Sequence, residues 1–174
     1  MNVGIIGYSG PVDKPPVSKI SNLCVETGRV LAESGHTIVC GGRDGVMELV
    51  SIGARQAQGF VVGVLPAFED GNRYLSLRIK TPFDNITRSL VLIESSDVVL
   101  SIGGEIGTAI EVLMAYARGK PVVLFTGTGG WTDRFSENLI EGKYLDSRKI
   151  VTVQKAASIK EVMEILERIG RQIK

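Results

Sequence analysis

A chain of 174 residues is long enough for one domain with a substantial core and short for two. Hydrophobic residues make up 44% and charged residues 22%, as in globular proteins, and a net charge of +1 offers no electrostatic footprint for nucleic acid or an anionic membrane. No apolar run nears the ~20 residues that span a bilayer and no basic leader precedes the first apolar run, so a cytoplasmic protein is expected.

In chain order, residues 3–7 read as a buried strand that ends in Gly7-Tyr8-Ser9-Gly10. Pro15 and Pro16 then open a helical stretch over 17–34, with Ile20, Leu23, Val30 and Leu31 at helical spacing. Residues 37–40 form the second strand, ending in Gly41-Gly42, and 45–58 a helix stopped by Gly59. The third strand covers 60–65, and the alternation over 75–79 predicts a short extra one. A helix over 84–95, a strand over 98–102 and a helix from about 108 to 118 follow, with Gly103-Gly104 between the last two. A strand over 122–125 runs into Thr126-Gly127-Thr128-Gly129-Gly130. Residues 135–144 are expected to be helical, 150–153 the last strand, and 158–173 the last helix, opened by the capping box Ser158-Ile159-Lys160-Glu161.

Strand, glycine turn and helix repeated along the chain predict βαβ units. The fold class is α/β: a three-layer, Rossmann-like parallel sheet with helices on both faces, one domain over 1–174. The continuous apolar strands suit a sheet covered on both sides.

Cys24 and Cys40 are not in a metal-binding spacing, and with His36 as the one histidine they supply no credible zinc site. Both cysteines read as small apolar packing residues. His36 falls in a helix-to-strand turn, at the edge facing away from any ligand, which makes a Ser-His-Asp or Cys-His mechanism a poor fit.

The glycines mark the ligand edge. Gly7 and Gly10 follow the first strand; Gly41, Gly42 and Gly45 the second; Gly103, Gly104 and Gly107 the strand over 98–102; Gly127, Gly129 and Gly130 the next. In a parallel sheet these carboxyl-end loops converge on one edge, where free amides at helix starts suit phosphate. The segment from Ser101 to Glu111 has neither a Walker lysine nor the GxGxxG spacing. Thr108-Ala109-Ile110-Glu111 reads two ways. As a capping box, Glu111 folds back onto the Thr108 amide; as a site, Gly107 and Thr108 take phosphate while Glu111 faces a sugar. Arg88, on the helix over 84–95, is either a solvated surface arginine or a site residue, and Arg43 and Asp44 read equally as site residues or as ordinary loop charges.

At these residues the chain resembles the Rossmann-like LOG or "possible lysine decarboxylase" family, which includes molybdenum-cofactor carrier proteins. The resemblance rests on Gly7-Tyr8-Ser9-Gly10, Gly41 to Met47, Arg88, and Gly103 to Glu111. The family's PGGxGTxxE motif falls on the last segment, which implies phosphate at Gly107 and Thr108 and a catalytic acid at Glu111. Its MxxRK arginine falls on Arg88. By the same resemblance Ser9, Met47 and Glu105 join the glycines in ligand binding. The departures mark a divergent member. Ile102 stands where the motif has proline, Glu105 and Ile106 where it has one residue, and Ser89 where it has lysine.

Two functions follow from the resemblance. One is a phosphoribohydrolase that cleaves the N-glycosidic bond of a nucleoside 5′-monophosphate, with Glu111 beneath the ribose and Arg88 orienting it or binding the base. The other is a binding or carrier protein for a phosphorylated, nucleotide-like cofactor, without turnover. Neither assigns a metal or a resident cofactor. The helix over 108–118 is apolar round nearly its whole circumference, so a second buried surface is expected, met most simply by a homodimer or a higher homo-oligomer.

Overall fold

The computed structural model describes residues 1–173. Its strands are β1 (Asn2–Gly7), β2 (Thr37–Cys40), β3 (Val61–Leu65), β4 (Leu77–Lys80), β5 (Val98–Ile102), β6 (Val122–Phe125) and β7 (Val153–Ala156). Its α-helices are α1 (Ser21–Glu33), α2 (Val46–Gln56), α3 (Arg88–Glu94), α4 (Ile106–Ala117), α5 (Gly130–Glu137) and α6 (Ile159–Ile173). All seven strands join one parallel sheet in the order β4-β3-β2-β1-β5-β6-β7.

Side-chain alternation along the strands divides the core into two layers. Val3, Ile5, Ile38, Cys40 and Leu100 face α1, α2 and α6, whose Leu31, Val50 and Leu166 are fully or almost fully buried. Ile6, Val39, Val99 and Leu124 face α3 and α4 through Leu92, Ile93, Val112 and Ala115. This is the three-layer α/β arrangement. Every residue of β3, β5 and β6 is buried, which explains why those strands are continuous apolar runs.

The order in which strands are added reverses at β1. From β1 the strands run outward through β2 to β4 on one side, and from β5 to β7 on the other, with Gly7 paired to Ile102. The loops after β1 and β5 therefore part company above adjacent strands and leave a crevice at this switch point. No described helix is long and apolar enough to cross a membrane.

Several elements depart from the expected bounds. The stretch over 17–34 divides into a 3-10 turn, Val17–Ile20, and α1. The helix expected over 135–144 begins earlier and ends at Glu137, because the Asp133 carboxylate accepts from the amides of Gly127 and Gly129 at 2.8 Å and fixes the start. Beyond it Ile140 bridges to Tyr144 through positive-φ Glu141 and Gly142. The last strand lies three residues later than expected, at Val153–Ala156: Val153 and Ala156 are buried while Gln154 and Lys155 belong to a half-solvated edge strand. The extra strand is present as β4, shifted to Leu77–Lys80 and exposed throughout.

Candidate functional site

The switch-point crevice holds a cavity of about 140 Å³. The loop after β1 contributes Gly7 and Ser9, the loop after β2 Gly41 and Arg43, and α2 Met47. The opposite wall comes from Asn85, Ile86, Arg88 and Ser89 at the start of α3, and from Glu105, Gly107, Thr108, Ile110 and Glu111 on α4. Ile5 and Ile6 of β1 complete it.

Asp84 sets the start of α3. Its Oδ1 accepts from the amides of Ile86 and Thr87 at 3.0 and 2.7 Å, and its carbonyl accepts from Arg88 N at 3.0 Å. Arg88 is thus the first residue of the helix, and its side chain turns inward rather than to solvent: it is only 4% exposed. The guanidinium lies against the backbone of Gly41. A methyl built on Gly41 would stand 2.5 Å from Nη1 and 2.7 Å from Met47 Sδ, so a glycine is needed there for close approach. Arg88 Nε and Nη1 are buried with no hydrogen-bond partner. Burial pulls the Arg88 pKa down, against the charge of Glu111.

The structure does not bear out the capping-box reading of the Thr108–Glu111 segment. Helix α4 begins at Ile106 with Glu105 as N-cap, so Thr108 lies inside the first turn and no side chain caps the helix. The Glu111 carboxylate instead accepts from Ser89 Oγ at 2.7 Å, across to α3. The capping box is therefore absent, and the carboxyl belongs to the cavity. Burial pushes its pKa up, opposed by the Ser89 hydrogen bond and the Arg88 charge. With no cap, the first amides of α4 have no intrahelical partner and stand at the positive end of the helix dipole. Gly107 is exposed, with nothing within 4 Å of where a Cβ would sit.

Gly10, Gly42, Gly45, Gly103 and Gly104, expected among the ligand-binding residues, do not line the cavity. Gly103 and Gly104 (φ +62° and +99°) are clasped by the loop after β6. Gly103 N donates to Thr128 Oγ1 at 2.8 Å, and Gly104 O accepts from Trp131 N at 2.8 Å. Gly42 turns away to Asn72, whose amide donates to its carbonyl at 2.7 Å, and Gly45 packs against the backbone of Tyr8 and Ser9. Gly10 stands clear of other groups. These glycines shape the loops. Gly7, Ser9, Gly41, Met47, Arg88, Glu105, Gly107, Thr108 and Glu111 do meet at the cavity.

Sequence reasoning gave no site role to Ser89 or Asn85 and left Arg43 open between a site residue and an ordinary loop charge. Arg43 is paired with Glu69 at 2.9 Å. Cys24 and Cys40 are buried and unpaired, and His36 lies beside Met1 and α6 at the far edge of the sheet. Among the described residues no cluster of His, Cys, Asp or Glu could hold a metal ion.

The model of the SLOG cluster4 family matches residues 1–163 of the chain. The X-ray structure of the structural-genomics target TM1055 is 58% identical, with a TM-score of 0.94 over 96% of this chain and 98% of that one. A molybdenum cofactor binding protein from Rippkaea orientalis is 27% identical, with a TM-score of 0.78 over 97% of this chain and 96% of its own. The molybdenum cofactor carrier protein of Chlamydomonas reinhardtii is 28% identical, with a TM-score of 0.76 and 98% of both chains covered.

Proposed function

Starting from the premise that this chain belongs to the SLOG cluster4 family, of the LOG-like superfamily, we propose that it binds a phosphorylated, nucleotide-like small molecule in the switch-point cavity and acts as a binding or carrier protein. One observation carries the reading. A buried arginine with two unpartnered nitrogens lines the same cavity as the uncapped N-terminus of a twelve-residue helix. A buried cation without hydrogen-bond acceptors is costly, and a ligand oxyanion supplies the missing acceptors. The α4 amides at Gly107 and Thr108 take the phosphate, and Arg88 takes a second acceptor group. Likeness to two proteins described by their cofactor binding, over nearly the whole chain, supports the carrier reading.

The test is calorimetry with adenosine 5′-monophosphate, inorganic phosphate and adenosine. The reading expects the monophosphate to bind and adenosine to bind far more weakly; equal affinity for both would count against an anion site.

A second reading has one specific observation in its favour. Glu111, released from helix capping, sits with Arg88 at the cavity wall, as a carboxylate would that stabilises an electron-deficient ribose carbon. On that reading the chain is a nucleoside 5′-monophosphate phosphoribohydrolase. Free base released from a monophosphate by the native protein, and not by Glu111→Gln, distinguishes it from the carrier.

We also infer a homo-oligomer. Ile106, Ile110, Leu113 and Ala117 form an outward stripe on α4, and Ile86 and Leu90 flank it at the start of α3 and within it. Ile106 is 63% and Leu113 50% exposed, so the face that lacks a partner within the chain is strongly apolar.

A further inference from the structure

Ser89 follows Arg88 on α3 and is 2% exposed. Its hydroxyl carries one proton and has two acceptors in reach: Glu111 Oε1 at 2.7 Å and the Asn85 carbonyl at 3.2 Å. One proton serves one acceptor at a time, but the oxygen also accepts. With Glu111 ionised, Ser89 donates to the carboxylate. With Glu111 protonated, the acid donates to Ser89 Oγ and the hydroxyl turns to the Asn85 carbonyl. Each state leaves this chain of groups satisfied, so the carboxyl keeps its place through a change of charge. A lysine at this position, as in the family motif, could only donate and would favour the ionised form alone.

The cavity makes that change of charge useful. Arg88 faces Glu111 from α3, and Glu105 faces the cavity from the start of α4. Arg43, paired with Glu69, faces it from the loop after β2, and the buried Cys40 thiol lies behind Arg88. From β1 come only the uncharged Ile5, Ile6 and Gly7. An entering phosphate therefore meets one unpaired cation and two carboxyl groups. Burial already raises the Glu111 pKa against the Ser89 hydrogen bond and the Arg88 charge, and the negative charge of an entering phosphate would add to it, toward the neutral acid. Protonation removes the repulsion between Glu111 and the ligand and leaves the Arg88 charge to act on the ligand alone.

We propose that Ser89 is a positioning residue that seats Glu111 in either protonation state, so that the pocket takes up one proton at Glu111 when an anionic ligand binds. The coupling rests on the anion-site reading above; the seat does not.

The experiment has two arms on the full chain. In the first, carbon-13 NMR follows the side-chain carboxyl of Glu111 against pH in the native protein, Ser89→Ala and Ser89→Thr, with Glu111→Gln to assign the signal. Ser89→Ala removes the donor to the charged form and moves the midpoint up; Ser89→Thr retains a hydroxyl and leaves it near the native value. In the second, adenosine 5′-monophosphate binding is measured by calorimetry in buffers of different ionisation enthalpy. Native binding takes up a proton, and affinity falls about tenfold per pH unit above the midpoint, as one linked proton requires. Glu111→Gln binds without that uptake. A midpoint unmoved in Ser89→Ala overturns the seat, and binding with no proton exchange at any pH overturns the coupling. If neither the monophosphate nor inorganic phosphate binds, the anion-site reading falls and takes the coupling with it, while the first arm still decides the seat.

Discussion

Arg88 rests on Gly41: the guanidinium from the first residue of α3 occupies the space where any side chain at the end of β2 would project. The contact joins the loop after β2 to the first turn of α3, far apart in sequence. It also explains how a charged side chain comes to be buried without a protein acceptor on Nε or Nη1.

Substituting Gly41→Ala tests that seat. The atoms a methyl would meet are the ends of two flexible side chains, Arg88 and Met47, and Gly41 has no positive φ to lose. The variant should fold with stability close to native, since the alanine also narrows the unfolded ensemble by about 0.4–1 kcal/mol. Displacing Arg88 costs the ligand a charge-assisted hydrogen bond, and affinity for adenosine 5′-monophosphate should fall roughly ten- to a hundredfold. Unchanged affinity in the folded variant would show that Arg88 does not meet the ligand.

Gly107→Asp separates ligand binding from helix stability. Nothing lies within 4 Å of the new Cβ, and Gly107 is exposed in the first turn of α4. A carboxylate there favours the helix dipole, so the melting temperature should rise slightly, with a gain of about 0.3–1 kcal/mol. The same charge occupies the proposed phosphate position, so monophosphate binding should drop sharply. Stability up with affinity intact would move the phosphate elsewhere.

Much of the fold was legible because burial on both faces writes itself into sequence as continuous apolar runs, as in β3, β5 and β6. The edge strands were read less well. In β7 only Val153 and Ala156 are buried, so the apolar stretch just before it looked more like a strand than the strand itself. At the site, Arg88 and Glu111 could be picked out, but their surroundings could not. Thr-x-x-Glu describes a capping box whether or not the helix starts at the threonine, and α4 starts two residues earlier. The glycines were visible as a group, yet spacing does not tell those that face a cavity from those, like Gly103 and Gly104, held by another loop. Ser89 depends on a contact between helices 22 residues apart in sequence, which no local pattern records.

The pH dependence of stability tests Glu111 without any ligand. Burial raises its folded pKa above the ordinary carboxylate value, so the unfolded chain ionises first as pH rises. This group therefore favours the native state most in acid. Its contribution declines as pH climbs from the ordinary carboxylate range through the raised folded value, and then stays level. Glu111→Gln is neutral throughout and escapes that decline. The variant should match the native protein near pH 4 and melt at a higher temperature at pH 8. A difference in melting temperature independent of pH would mean that Glu111 titrates as an ordinary surface carboxyl.

The oligomer is tested on α4. Ile106, Ile110, Leu113 and Ala117 recur at the spacing of one helical face, while the opposite face is used by Ala109, Val112, Ala115 and Tyr116 in the core. A helix apolar on both sides needs two buried surfaces, and the sheet provides one. Ile86 and Ile110 also line the cavity, so a subunit seated on this face would narrow the mouth of the site. Light scattering at micromolar concentration should give a mass of at least two chains. Leu113→Glu sets a charge in the middle of the stripe, at a residue that is 50% exposed in the single chain and contributes little to its core. It should give the mass of one chain with native circular dichroism, because a buried unpaired carboxylate at an interface costs several kcal/mol. Monophosphate binding should weaken with it, since the mouth is then open to water. A native protein with the mass of one chain would remove the second subunit from the account and leave the stripe as exposed apolar surface.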